Sequence, residues 1–150
     1  MRVWIDTEFN GFQGDLISIG LIAEDGQYLY CVRHETQNMD IDPWVEEHVM
    51  PNLDKTLYNG GALWKDDFTI QYQLQKFLNS YDGVEIIVDW PEDIKHLCDL
   101  MITGPGLMIN TPPMTFTLDR SIDGNSRIPH NAIFDALSNM EFCINREIDE

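Results

Sequence analysis

The sequence predicts an α/β fold: one mixed sheet with helices on its faces. Three observations carry this. Apolar runs of strand length follow one another at 2–9, 16–24 and 27–34, and Asp25-Gly26 between the last two is a two-residue hairpin signal. A further apolar run at 84–89 leads into Pro91 and a helical period. The chain then closes on a long amphipathic stretch, 130–148.

The elements follow in order. Residues 2–9 form strand one, and the loop 10–15 turns it back into strand two, so the first three strands read as an antiparallel meander. Residues 42–53 form a short helix with Asp42 as cap and Pro43 at its first position. A polar, Gly-containing link follows. Phe68, Tyr72, Leu74, Phe77, Leu78 and Tyr81 recur at roughly helical spacing and predict a helix over 66–81. Strand four is 84–89, and Pro91 opens a helix that runs to about Met101. The segment 103–129 is rich in Gly, Pro and Asn, and holds one or two short strands at 107–109 or 114–118. The terminal helix, 130–148, carries a stripe of Ile133, Ala136, Leu137, Met140, Cys143 and Ile144.

The chain has 150 residues, a length that fits one domain with one core, and 43% of them are apolar. Its three cysteines are far apart and form no CxxC or zinc spacing, which points to a reduced, cytoplasmic setting. No signal-peptide core precedes Asp6, and no apolar run approaches the ~20 residues of a membrane helix. The formal charge is −17, from 26 acidic and nine basic residues. That balance argues against gripping long nucleic acid by phosphate neutralisation, but suits a site that uses divalent cations.

Three places carry candidate chemistry. Asp6 and Glu8 stand two apart on strand one, so they project on one face. Ionised carboxylates that close repel unless a cation lies between them, and hard oxygen ligands suit Mg²⁺ or Mn²⁺. Asp89 ends strand four, and Asp93 lies in the first turn of the next helix, four residues before the apolar Leu97. Asp135 lies off the stripe of the last helix, five residues after His130. Each has an ordinary explanation when taken alone: solvated loop acids, a dipole-compensating acid, a helix-start histidine.

Taken in order, these residues closely resemble the histidine variant of the DEDD superfamily of 3′→5′ exonucleases, which carries H-x4-D in its last motif. The likeness covers nearly the whole chain. "DTEF", "ISIGLIAEDG" and "HNAIFDAL" are most similar to the short bacterial exoribonuclease branch typified by RNase AS. The resemblance implies a ribonuclease H-like fold whose five-stranded sheet joins the antiparallel meander to parallel strands. It implies two divalent ions, Mg²⁺ or Mn²⁺, held by Asp6, Glu8, Asp93 and Asp135. Asp6 would bridge both ions, and His130 would act as general base toward the attacking water. The implied product is a nucleoside 5′-monophosphate. One departure stands out. Many relatives have Asn-x-x-Phe-Asp in the second motif, whereas this chain has Asp89-Trp90-Pro91-Glu92-Asp93, which leaves Asp89 as an alternative to Asp93.

The implied partner is the 3′ end of single-stranded RNA. Single-stranded DNA is the alternative, followed by a nucleic-acid-binding protein that has lost catalysis. A homodimer is also brought into view, because a second subunit would lengthen the binding surface of so small a domain. Phe9 and Phe12, just after the acids, are candidates to stack on a terminal base, with core packing as the alternative. Trp90 is a weaker candidate of the same kind. Arg127, and Arg120 with it, could meet a phosphate from the irregular segment, where a solvated charge is the default.

Overall fold

A computed structural model describes residues 1–58 and 64–150. The first three strands, β1 (Arg2–Phe9), β2 (Leu16–Ala23) and β3 (Tyr28–Arg33), form the expected antiparallel meander. A 3₁₀ turn (His34–Asn38) leads to α1 (Pro43–His48), whose cap Asp42 accepts from the backbone N–H groups of Trp44 and Val45. A second 3₁₀ turn (Met50–Asn52) follows. The polar link expected next falls partly on residues 59–63, outside the described residues.

β4 (Trp64–Lys65) pairs parallel with β3, and α2 (Asp67–Leu78) follows behind its cap Asp66. β5 (Val84–Val88) runs parallel to β1, and α3 (Pro91–Met101) begins at the proline as its fixed φ favours. β6 (Ile102–Gly104) and β7 (Leu107–Met108) make a separate hairpin. β8 (Met114–Leu118) pairs parallel with β5, and α4 (Ala132–Asp149) ends the chain. The main sheet is mixed and six-stranded, in the order β4-β3-β2-β1-β5-β8.

The expectation of five strands is thus corrected to six. The addition is β4, two residues long, too short to leave a period in the sequence. A second correction concerns α2. Its buried residues are Ile70, Leu74 and Leu78, while Phe68 is 78% and Tyr72 60% exposed. Positions two apart lie about 200° round a helix, so those aromatics face away from the true stripe. A third concerns α4, which starts at Ala132 and leaves His130 outside it.

Both faces of the sheet are covered. Val3, Ile5, Ile19 and Leu21 pack with Ile70, Leu74 and Leu97 from α2 and α3. Trp4, Ile17 and Ile22 pack on the other face with Val45 of α1 and Ile133, Ala136 and Met140 of α4. Every residue of β2 is buried, as a central strand covered on both sides requires. No helix among the described residues is long and apolar enough to cross a membrane.

Candidate active site

The alternation of β1 decides which side chains meet. Trp4 belongs to the α4 side and Ile5 to the α3 side, so Asp6 and Glu8 continue toward α4 while Thr7 and Phe9 continue toward α3. Thr7 reaches the first turn of α3. Its backbone N–H and its hydroxyl both donate to Asp93 Oδ1, at 3.2 and 2.7 Å. Asp93 is 2% exposed, and its other oxygen, Oδ2, is buried without a hydrogen-bond partner among the described residues.

On the α4 side the turn before the helix is held from several directions. Asn131 caps α4 by accepting from the N–H groups of Ile133 and Phe134, both at 3.2 Å. Its amide donates to the carbonyls of Asn52 and Lys55, at 2.8 and 2.9 Å. His130 takes a left-handed conformation, φ 65°, which is uncommon for a non-glycine residue. Its backbone N–H donates to Asp135 Oδ2 at 3.2 Å. Asp135 Oδ1, like Asp6 Oδ2, is buried and unpartnered among the described residues.

The five carboxylates fall into two groups that share Asp6. One is Asp6, Asp89 and Asp93; the other is Asp6, Glu8 and Asp135. In each group one oxygen per residue lies within 4.8 Å of the others. Atoms bound about 2.1 Å from one octahedral ion are at most about 4.2 Å apart, so a small contraction would close either group on a cation. Three buried, unsatisfied carboxylate oxygens in one place are costly unless positive charge answers them. The donor set fits hard divalent ions.

Two cavities open beside the acids. One, of about 340 Å³, is lined by Asp6, Asp89, Ser126, His130 and Asp135. The other, of about 370 Å³, is lined by Glu8, Phe9, Phe12, Trp44 and His130. His130 borders both. The Trp44 ring meets His130 edge-on at 5.1 Å and stacks on His48 at 4.4 Å.

No protein-family model matches the chain. Two curated 3′-5′ exoribonucleases of Mycobacterium tuberculosis, from strains CDC 1551 / Oshkosh and H37Rv, are each 32% identical to it. Each alignment covers 91% of this chain and 87% of the relative. This chain belongs to that 3′-5′ exoribonuclease family.

In this member of the exoribonuclease family the acids shift one another's protonation. Burial raises Asp6 well above the usual carboxylate range, and the charges of Asp93, Glu8, Asp135 and Asp89 raise it further. Burial likewise raises Glu8, helped by Asp135 and Asp93. Asp93 is pushed up to about 7 by burial, against the opposing hydrogen bonds from Thr7. Burial raises Asp135 too, opposed by Ser126 and the His130 N–H.

The expected residues thus come together: Asp6, Glu8, Asp93, Asp135 and His130 converge from three segments distant in sequence. Asp89 and Asp93 both lie beside Asp6, with one oxygen of each within 4.8 Å of the others. The cap position of α3 is Trp90, and no side chain caps that helix, so Asp89 has no capping role. Phe9 tilts against His96 at 4.9 Å, and Phe12 is 90% exposed, which removes core packing as its explanation. Trp90 is half exposed; its ring lies 4.9 Å from the Arg120 guanidinium, and its indole N–H donates to Glu92. Arg127 is exposed and lines neither cavity. Thr7 and Trp44 went unassigned from sequence. The signal for Trp44 was a large aromatic beside the cap of a six-residue helix, too short a helix for a period to assign its face.

Proposed function

We propose that this chain is a divalent-metal-dependent 3′→5′ exoribonuclease of the DEDD histidine type, on a ribonuclease H-like fold. Its substrate would be the 3′ end of single-stranded RNA, and its products nucleoside 5′-monophosphates. The observation that carries the reading is Asp6, shared between two carboxylate groups with His130 at the edge of one of them. The family membership and the exoribonuclease activity of the relatives favour RNA.

Asp6, Glu8 and Asp135 would hold one ion, and Asp6 with Asp93 the other. Two bound divalent ions supply the positive charge that a phosphodiester, its attacking water and its leaving 3′ oxygen need in a low-dielectric site. The chain's own part is placement. β1 fixes Asp6 and Glu8 on a paired strand, Thr7 fixes Asp93, and the Asn131 cap fixes the first turn of α4. The His130 ring, flanked by Trp44, takes the proton from the attacking water at the border of the two cavities. The aromatic cavity beside Glu8 holds the terminal nucleotide, with Phe9, Phe12 and Trp44 offering faces to its base. The left-handed backbone of His130 fits a residue held in place for chemistry.

The test is a digestion panel of matched RNA and DNA oligomers, labelled at the 5′ end, with Mg²⁺ or Mn²⁺ and with chelator. Stepwise shortening of RNA only in the presence of metal is the expected result. Internal cuts, or equal rates in chelator, would overturn the reading.

A further inference from the structure

We propose that Asp89 is a fifth metal-binding carboxylate, so that the cation position on the α3 side is a three-carboxylate site of Asp6, Asp89 and Asp93. This rests on the two-ion reading above and deepens it. One oxygen from each of the three lies within 4.8 Å of the other two. The cluster is not merely acidic surface, since Asp93 is 2% exposed and its Oδ2 is buried with no partner among the described residues. Asp6 Oδ2 is in the same condition. Thr7 has already claimed the other oxygen of Asp93, so Oδ2 is the one left for an ion.

Asp89 is itself well placed to serve. It follows Val88, the last residue of β5, whose carbonyl accepts from the Asp119 N–H at 2.8 Å. Arg120 donates to the backbone carbonyl of Asp89, and its guanidinium lies over the Trp90 ring. The backbone at 89 is therefore pinned on both sides while its carboxylate lines the same cavity as Asp6 and Asp135. A short carboxylate side chain on a pinned backbone has few torsions to lose on ligation, which favours affinity. Charge gives the same direction. Five carboxylates set −5 against the +4 of two divalent ions, whereas four would only balance it. The fifth acid should therefore tighten the α3-side ion and leave the Glu8–Asp135 position nearly unchanged.

Calorimetric titration of the full chain with Mn²⁺ at neutral pH tests this, in wild type, Asp89→Asn, Asp89→Ala and Asp6→Asn. Wild type should take two ions. Both Asp89 variants should weaken one of them at least tenfold and move the other less than twofold, whereas Asp6→Asn should weaken both. Two unchanged dissociation constants in the Asp89 variants would overturn the proposal. So would an Asp89→Asn protein that melts well below wild type in chelator, since removing a repelling charge should not destabilise it. Should wild type take a single ion, the two-ion reading falls, and Asp89 is then judged by whether that one affinity drops in its variants.

Discussion

Gly20 faces Asp6 across the β1–β2 ladder, and α4 crosses the sheet at that point. A Cβ on Gly20 would stand 2.6 Å from the Cα and the N of Ile133, closer than packed atoms approach. The bare backbone is what lets the first turn of α4, and with it Asp135, come down beside Asp6. Gly20→Ala should therefore push α4 outward. Destabilisation of about 1–3 kcal/mol is the expected cost of such overpacking. Mn²⁺ affinity should fall in the same variant, because Asp135 moves with the helix. A variant with wild-type melting and wild-type metal binding would show that the contact does not set the site.

Without metal, the acids should make stability depend on pH in an unusual direction. Asp6, Glu8, Asp93 and Asp135 all titrate higher in the folded protein than in an unfolded chain, because burial penalises their charge. Each therefore contributes stability that is present below the unfolded value near 4 and is lost as pH rises through the folded value, about 7 for Asp93. In chelator the melting temperature should fall from pH 5 to pH 8. Saturating Mn²⁺ should reverse or flatten that slope by binding the ionised form, and Asp6→Asn should reduce it. A melting temperature that climbs over this range in chelator would contradict the assignment.

His130 should govern rate more than metal binding. A positioned general base contributes roughly 10²–10⁴-fold. His130→Ala should lose about that much turnover on labelled RNA while its Mn²⁺ titration stays close to wild type. Unchanged turnover would remove the role.

Thr7 should act through Asp93. Its hydroxyl and N–H both hold Asp93 Oδ1 and pull the acid toward its charged form. A hydrogen bond to a charged group is worth about 1.5–3 kcal/mol, so Thr7→Val should weaken one Mn²⁺ by roughly ten- to a hundredfold. Thr7→Ser restores the hydroxyl and should restore the affinity. If valine and serine behave alike, the hydroxyl is not what positions Asp93.

The terminal 2′ hydroxyl should be the feature that separates RNA from DNA. Glu8 or the backbone at Phe9, on the aromatic cavity, would pair with it. Leaving a buried polar group unpaired costs ~1–3 kcal/mol, so replacing only the last ribose by deoxyribose should lower kcat/KM about ten- to a hundredfold. Equal rates on the two oligomers would favour DNA as a natural substrate.

Much of this arrangement was legible in the sequence because it follows strand and helix periods. Asp6 and Glu8 share a face since the strand period is two, and Pro91 marks the start of α3 almost unaided. What stayed hidden depends on distances between elements. Nothing local says that the end of β5 and the first turn of α3 both reach Asp6, so Asp89 and Asp93 read as alternatives when they are neighbours. Thr7 was hidden likewise, since its hydroxyl matters only once α3 has docked. In α2, Phe68 and Tyr72 misled because an aromatic side chain reads as core until its neighbours fix the buried face.

The carboxylates come from residues 6 and 8, 89 and 93, and 135, so they span most of the chain. A chain with β1 through β8 in place but α4 undocked would have the sheet and lack Asp135, so the cluster would be incomplete. Docking α4 is the step that brings Asp135 against Asp6 and Glu8, and with it part of their mutual repulsion. The acid cluster is therefore a product of the tertiary fold, complete only once α4 has docked on the sheet.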